Sequence, residues 1–274
     1  MLYVVATPIG NLEDMTFRAV RILREANVIA CEDTRQTRKL LDHYGITTPM
    51  ISYHDHNEAP RASELIHRLR NGETVALVTD AGTPLVSDPG FVLVHEARKA
   101  GLPVTPIPGA SAALTALAAS GLPTGEGFRF HGFLPPKKTQ RLDALRGMAR
   151  DPATLVFYEA PHRILETLTD LAETMPARPV VVARELTKLH EEFLCGTAAG
   201  VLATLAARDS IRGEITLLVG KATEETAEVD ERPLEDAVAE LERAGVPRMD
   251  AIKQVARDRG LGKREVYKRL SGGG

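Results

Sequence analysis

Four apolar residues, Val75 to Val78, run straight into Thr79-Asp80-Ala81-Gly82-Thr83-Pro84, and a second tight segment, Ser87-Asp88-Pro89-Gly90, follows at once. The apolar run has the pattern of a strand buried on both faces of a parallel sheet. Glycine lets the backbone approach another group without an intervening side chain. Proline lowers the entropy lost in holding a loop in one shape. A stiff, carboxylate-bearing loop beyond a strand's carboxyl end is where open α/β sheets place their ligands. This one stretch therefore points to an α/β fold with a ligand site at its strand ends.

The same device recurs along the chain. Leu2 to Ala6 reads as a central strand ending in Thr7-Pro8-Ile9-Gly10-Asn11. Phe17, Val20 and Leu23 predict a helix face, capped by Asp14 or Thr16. Val28 to Ala30 is the next strand, and Thr34 is the expected cap of the helix that carries Leu40 and Leu41. Met50 to Tyr53, Val75 to Val78 and Val104 to Ile107 complete a strand–helix alternation that predicts a mostly parallel first domain over residues 1–120. Its last helix opens with Pro108-Gly109-Ala110-Ser111-Ala112, small residues that leave backbone N–H groups approachable. After a Gly/Pro-rich linker, strands are expected at Phe128 to Phe133, Thr154 to Tyr158, Val180 to Arg184 and Ile215 to Gly220. Helices near 139–149, 162–174 and 198–206 make this a second α/β domain, 121–222. Ala222 to Glu231 reads as an acidic linker. A helical module, 232–270, follows, with apolar stripes at Leu234, Val238 and Leu241, at Ala251, Ile252, Val255 and Ala256, and, after a break at Gly260, at Val266, Tyr267 and Leu270.

Composition sets limits. With 274 residues, 43% hydrophobic and 26% charged, the chain has ordinary globular make-up with room for two domains and an appendage. The net charge of −3 gives the whole molecule no strong attraction to nucleic acid. The tail differs: between Arg248 and Leu270 there are eight Lys or Arg against three Asp or Glu. Such a local excess fits phosphate contact. Two cysteines without a metal-site or disulfide spacing, no apolar run of about 18 residues and no signal peptide point to a cytoplasmic protein without a membrane partner.

Several chemistries lose support. No G-x-G-x-x-G follows a strand, and neither a P-loop nor a G-x-S-x-G elbow occurs. In His54-Asp55-His56-Asn57-Glu58 the alternation sends the two imidazoles to opposite sides of an extended chain, which disfavours a shared metal ion. A polar loop facing substrate is the preferred reading there. The loops at 7–11, 79–88, 108–112 and 157–163 share proline, glycine and small polar residues, which predicts one ligand cleft walled by all four. Tyr158-Glu159-Ala160-Pro161-His162-Arg163 and Ala183-Arg184-Glu185-Leu186-Thr187-Lys188 bring charge to two further strand ends.

The stretches VATPIGNLEDMTFRAVRILREANVIACEDTR, TDAGTPLVSDPG, PGASA, GFLP, YEAPHR and ARELTKLHEE together resemble the ribosomal RNA small-subunit methyltransferase I branch of the tetrapyrrole methylase superfamily, from Leu2 to about Lys221. That resemblance implies S-adenosylmethionine as methyl donor, folded in a cleft between two α/β domains. It implies 2′-O-ribose methylation of a cytidine in the 16S rRNA decoding centre, with rRNA or the small ribosomal subunit as partner, and a homodimer. Carried over by motif, Pro8, Asp80, Ala81, Gly82, Leu85, Ser87, Ser111 and Ala112 should line the donor pocket. The tetrapyrrole-acting enzymes tend to have Gly-Asp-Pro where this chain has Asp80-Ala81-Gly82-Thr83-Pro84, which favours the rRNA branch. A ribose hydroxyl needs a base, or a cation that stabilises the developing alkoxide. Position on the second domain's strand-end loops nominates Lys188, with Glu159 and Glu185 as second choices. Arg35, Arg163, Arg184, Lys263, Arg264 and Lys268 are the candidates for rRNA phosphate; no metal is expected. Two alternatives keep the fold: methylation of a tetrapyrrole precursor, against which the basic tail argues, and a non-catalytic RNA-binding protein.

Overall fold

The structure is a computed structural model and describes residues 1–222, 233–243, 245–258 and 261–271, without the side chains of 257, 258, 263–265 and 271. Its first sheet is built from β1 (Leu2–Val5), β2 (Val28–Cys31), β3 (Met50–Ser52), β4 (Val75–Leu77) and β5 (Val104–Ile107), in the order β3-β2-β4-β1-β5. Every pairing is parallel. Parallel sheets are covered on both faces, and two separate cores do this here. On one side, α1 (Phe17–Glu25) and α2 (Thr34–His43) bury Ala19, Ile22, Leu23, Leu40 and Leu41 against Val5, Ile29 and Ala76. On the other, α3 (Glu58–Arg70) and α4 (Phe91–Lys99) bury Leu65, Leu69, Leu93 and Ala97 against Leu2, Ala30 and Leu77. The chain leaves β1 toward β2 but leaves β4 toward β5. The adjacent carboxyl ends of β1 and β4 are thus the topological switch point, where such sheets open a ligand crevice.

Thr16 caps α1, its side chain accepting from Ala19 N–H at 3.1 Å. The cap of α2 is Asp33 rather than Thr34: its carboxylate accepts from Arg35 N–H at 2.8 Å. Both residue types cap well and stand side by side, so the register is settled by which backbone is extended, and Asp33 is.

The second sheet holds β6 (Phe128–Phe133), β7 (Thr154–Glu159), β8 (Pro179–Arg184), β9 (Glu192–Thr197) and β10 (Ile215–Val219) in the order β6-β7-β10-β8-β9. Only β6 and β7 run parallel; the other pairings are antiparallel. β9 was not expected from the sequence. It is an edge strand whose residues are half-buried or exposed, so it lacks an apolar run. One face of this sheet carries α6 (Lys138–Met148), α7 (Ile164–Thr174) and α8 (Ala198–Ala206) over a core that includes Leu155, Phe157, Leu168, Val182 and Leu217. The opposite face carries α5 (Ala112–Ala119), a helix of small apolar residues that belongs to the first half of the sequence. Ala113 and Ala116, with Ile9, pack against Val156, Val181, Ala183, Leu186 and Leu218 and join the two lobes. Two buried arginines brace the second lobe. Arg141 pairs with buried Asp170 at 2.6 Å, and Arg178 donates to the carbonyls of Gly220, Met148 and Ala153.

α9 (Leu234–Arg243), α10 (Arg248–Asp258) and α11 (Lys263–Ser271) share their own small core of Val238, Ala251, Ile252, Val255 and Val266. The acidic stretch expected as a linker and the Gly260 break lie mostly or wholly outside the described residues. Among the described residues no helix is long and apolar enough to cross a membrane.

Candidate functional site

The switch point is stitched shut by backbone. Thr7 N–H donates to Gly82 O at 2.8 Å, and Gly82 N–H returns a bond to Thr7 O at 3.0 Å. The Thr7 hydroxyl donates to Thr79 O, and the Thr83 hydroxyl donates to Ala110 O at 3.1 Å. Gly82 sits at φ 83°, in the left-handed region that glycine enters freely. Three of the loops marked by proline and glycine are thereby held as one unit. The segment 54–58 supports it from behind rather than facing the cavity. Glu58 accepts from Gly90 N–H at 2.7 Å, and the neighbouring Tyr53 hydroxyl accepts from Leu93 N–H at 3.1 Å.

Between this unit and the second sheet lies a cavity of about 340 Å³, within the range of small-molecule sites. All four of the proline–glycine loops contribute: Ile9 from the first, Ala81, Gly82, Ser87 and Asp88 from the second, Ser111 and Ala112 from the third, and Tyr158 to Pro161 from the fourth. Of the residues nominated for a donor pocket, Ala81, Gly82, Ser87, Ser111 and Ala112 lie on the wall. Pro8, Asp80 and Leu85 are not part of it. Asp80 is bonded by Asp33 N–H at 3.1 Å, and Leu85 packs into the first lobe's core. Ser111 is the N-cap of α5 but makes no side-chain capping bond, and among the described residues its hydroxyl has no hydrogen-bond partner at the cavity wall. Leu85 and Ser87 adopt φ values of 72° and 68°, a costly state for residues that carry a Cβ.

Carboxylates gather on the first lobe's side. Burial raises the proton affinity of Asp88, opposed by a hydrogen bond from Thr79 and reinforced by Asp80 and Asp55. Glu32 is raised by burial and then by Asp80 and Asp88; Asp80 is raised by burial despite the bond from Asp33. Among the described residues no basic side chain forms an ion pair with Asp88.

On the second lobe, Glu159 reaches the wall, but both its oxygens are engaged. One accepts from Ala160 N–H at 2.8 Å and the other from the Thr167 hydroxyl at 2.6 Å, with Arg163 alongside at 3.4 Å. Lys188 and Glu185 stand behind the wall. The Lys188 ammonium lies 2.8 Å from both Glu185 and Glu214, and Glu214 does line the cavity. Burial works against that charge, yet the hydrogen bonds donated to the two carboxylates hold Lys188 above its ordinary value. The segment 213–216 had no motif to mark it; the sequence read only as a strand start.

The nominated arginines differ in freedom. Arg35 is 88% exposed and bonded to Asp33. Arg163 is mostly buried and donates to the carbonyls of Leu134 and Pro135 at 2.8 and 3.2 Å. Arg184 is held by Glu192 and by Arg212 O. Lys268 is exposed on α11, while the side chains of Lys263 and Arg264 lie outside the described residues.

Two lobes enclosing a cavity built from strand-end loops match known proteins. Residues 1–202 match the family model of the tetrapyrrole (corrin/porphyrin) methylases. The fold agrees. Uroporphyrin-III C-methyltransferase from Thermus thermophilus superposes with a TM-score of 0.56 at 24% identity, over 80% of this chain and 94% of that one. Diphthine synthase superposes with 0.61 at 15% identity, over 82% and 91%. Within this class the similarity narrows. The ribosomal RNA small subunit methyltransferase I of Halalkalibacterium halodurans is 51% identical over 97% of this chain and 93% of its own length. That of Bacillus subtilis is 45% identical over 97% and 92%. The chain belongs to the tetrapyrrole methylase family, in the group of the ribosomal RNA small subunit methyltransferases I.

Proposed function

We propose that this chain uses S-adenosylmethionine to methylate the 2′-oxygen of a cytidine ribose in the 16S rRNA decoding centre. The observation that carries the reading is the single cavity in which all four proline–glycine loops meet, in a chain about half identical over nearly its full length to small-subunit rRNA methyltransferases. A structural neighbour, the uroporphyrin-III C-methyltransferase complexed with S-adenosyl homocysteine, supports the choice of donor.

The wall fits a folded nucleoside cation. It offers backbone-rich loops, the Ser111 hydroxyl, and the carboxylates of Asp88 and Glu214. S-adenosylmethionine supplies an activated methyl group on a positive sulfur. Asp88 and Glu214 would hold a positively charged ligand in this cavity more tightly than a neutral one. The stitched loops fix the position of the cavity wall before substrate arrives, and such alignment is worth several kcal/mol, about 7–11 in the best cases. As the new oxygen–carbon bond forms, the hydroxyl proton must leave. We assign it to Asp88, which lines the cavity and whose burial-raised proton affinity suits a general base. Lys188 is charged and Glu159 is fully engaged, so in this reading both are positioning residues: Lys188 orients Glu214, with Glu185, and Glu159 fixes the start of α7.

Arg35 and the exposed face of α11 with Lys268 suit phosphate contact, with Lys263 and Arg264 added from the sequence. Arg163 and Arg184 serve the fold instead. A homodimer remains part of this reading through the family resemblance, and Phe17 and Leu189, 98% and 93% exposed, are apolar surface that such an assembly could cover. Two free cysteines accord with the reducing cytoplasm. Transfer of labelled methyl from S-adenosylmethionine to small subunits, with ribose methylation mapped by primer extension, is the test. Incorporation into a tetrapyrrole precursor instead, or none anywhere despite donor binding, ends this reading.

A further inference from the structure

One wall of the cavity lies outside the residues nominated for the donor. Phe133, at the end of β6, lines the cavity and is 56% exposed. Its place is built by the backbone. The register of β6 against β7 shifts between Phe130 and Gly132, and Gly132 lies at φ 65°. A bulge of this kind bends the strand and re-aims the side chain that follows. Glycine is needed at 132 for a second reason: an added Cβ would sit 2.9 Å from Ser87 Oγ, on the facing lobe. The Phe133 ring is backed by Tyr158, with centroids 5.8 Å apart and planes at 62°, and Tyr158 is backed by Phe130 at 4.9 Å. It is a rigid ring with one side supported and the rest open.

Four residues on, Lys137 and Lys138 open α6. Both are exposed, and among the described residues no carboxylate forms an ion pair with either. Lys137 occupies the N-cap without a capping bond. Positive charge at the positive end of a helix dipole is unfavourable, so these lysines do not serve the helix. The segment between ring and lysines is held taut by Arg163, through the carbonyls of Leu134 and Pro135.

We infer that the strap from Phe133 to Lys138 receives the RNA: an unstacked base lies on the Phe133 ring at the cavity mouth while Lys137 and Lys138 hold neighbouring phosphates. The inference rests on the RNA reading proposed above and names the surface that reading uses. A nucleotide drawn out of its stack can enter a cleft with its ribose leading, at the cost of the stacking that it gives up. Aromatic rings then replace the lost stacking, and lysines supply affinity that carries little sequence information.

The test uses the full chain with Phe133→Ala, Phe133→Trp and a Lys137→Ala/Lys138→Ala double variant. Three quantities are read: S-adenosylhomocysteine affinity by calorimetry, KM and single-turnover rate with small subunits, and anisotropy of a labelled single-stranded RNA across salt concentrations. Phe133→Ala should raise the subunit KM about 5- to 150-fold, the range that base–aromatic stacking spans, and leave S-adenosylhomocysteine affinity intact. Phe133→Trp should restore KM. The lysine double variant should lower the salt slope of RNA binding by about 0.7 for each phosphate that a lysine no longer neutralises. An unchanged KM in Phe133→Ala overturns the platform, and so does a matching loss of S-adenosylhomocysteine affinity, which would make the ring a donor-pocket wall. If wild-type protein methylates no subunits, the functional reading fails separately. The anisotropy series then decides the platform, which falls if all variants bind RNA like wild type.

Discussion

Gly10 separates the two lobes by the width of one methyl group. A Cβ built there would overlap Lys188 Cγ and sit 2.9 Å from both Lys188 Cε and Thr187 Oγ1. The Gly10 backbone is outside the left-handed region, so alanine meets no dihedral penalty and the effect isolates the steric clash. Lys188 has little room to yield. Its ammonium bridges Glu185 and Glu214, its N–H donates to Glu185 O at 3.0 Å, and Glu185 and Thr187 already stand at φ 52° and 66°. Overpacking costs about 1–3 kcal/mol, while the stiffer unfolded chain returns about 0.4–1. The expected net loss for Gly10→Ala is about 1–2 kcal/mol, a factor of about 5–30 in the folding equilibrium. Urea unfolding measures it directly. Calorimetry with S-adenosylhomocysteine should show weakened binding as well, because Ile9 beside Gly10 and Glu214 beyond Lys188 both line the cavity. A cycle with Lys188→Ala completes the test. Removing the Lys188 stem should relieve the clash, so the double variant should lose less than the sum of the single variants, by about 0.5–3 kcal/mol. Additive losses, or a Gly10→Ala protein that unfolds and binds like wild type, would refute the role of Gly10 as the spacer between the lobes.

Arg141→Met strands the buried Asp170 carboxylate and should cost about 3–5 kcal/mol in urea unfolding, whereas Arg141→Met/Asp170→Leu should recover most of it; equal losses in both would contradict the buried-pair account. The pH dependence carries two opposite signs. Glu32, Asp80 and Asp88 hold protons more tightly when folded, first because of burial, so their stabilisation is complete below the ordinary carboxylate range, near pH 4, and is lost as pH rises through their folded values. Asp88→Asn should therefore raise the urea midpoint at neutral pH, with a gain that shrinks toward acid, while slowing methyl transfer; a lower midpoint at neutral pH would reverse the sign assigned here. Glu192 runs the other way: hydrogen bonds from Arg208, then Arg184, hold it at about 2, so its contribution is present above the ordinary range and lost as pH falls toward that value. Arg35→Glu should weaken RNA binding and cut its salt slope by about 1 without changing stability, whereas Arg163→Glu should unfold the 134–135 strap; equal behaviour of the two would remove the distinction between free and committed arginines.

What was legible in the sequence follows from which physics is local. The strand ends at Ala6 and Val78 were readable because an apolar run stops at glycine and proline, and the four loops did converge on one cavity. The charged nominees were harder. Glu159 was visible as a carboxylate at a strand end, but its engagement by Thr167 and Ala160 depends on how β7 meets α7. Lys188 depends on Glu214, 26 residues away, in a stretch with no signature of its own. β9 was invisible because an edge strand needs no apolar run, and the bulge that aims Phe133 was invisible because nothing in GFLP states that Gly132 takes a positive φ.

The strained positions complete this pattern. Leu85 and Ser87 on one lobe, and Glu185 and Thr187 on the other, adopt left-handed φ without being glycine. Sequence rules would write glycine at such positions, and their absence hides the turns. Three of the four keep a side chain that glycine could not supply. Ser87 stands on the cavity wall facing Gly132, Leu85 anchors its loop in the core, and Glu185 holds Lys188 toward Glu214. Local conformational cost is thus accepted on both faces of the cleft in exchange for fixed side-chain positions, as expected where binding rather than folding sets the demand. Substituting glycine at Ser87 should therefore relax the turn while loosening the wall, so urea unfolding should show an unchanged or higher midpoint while calorimetry with S-adenosylhomocysteine shows weaker binding.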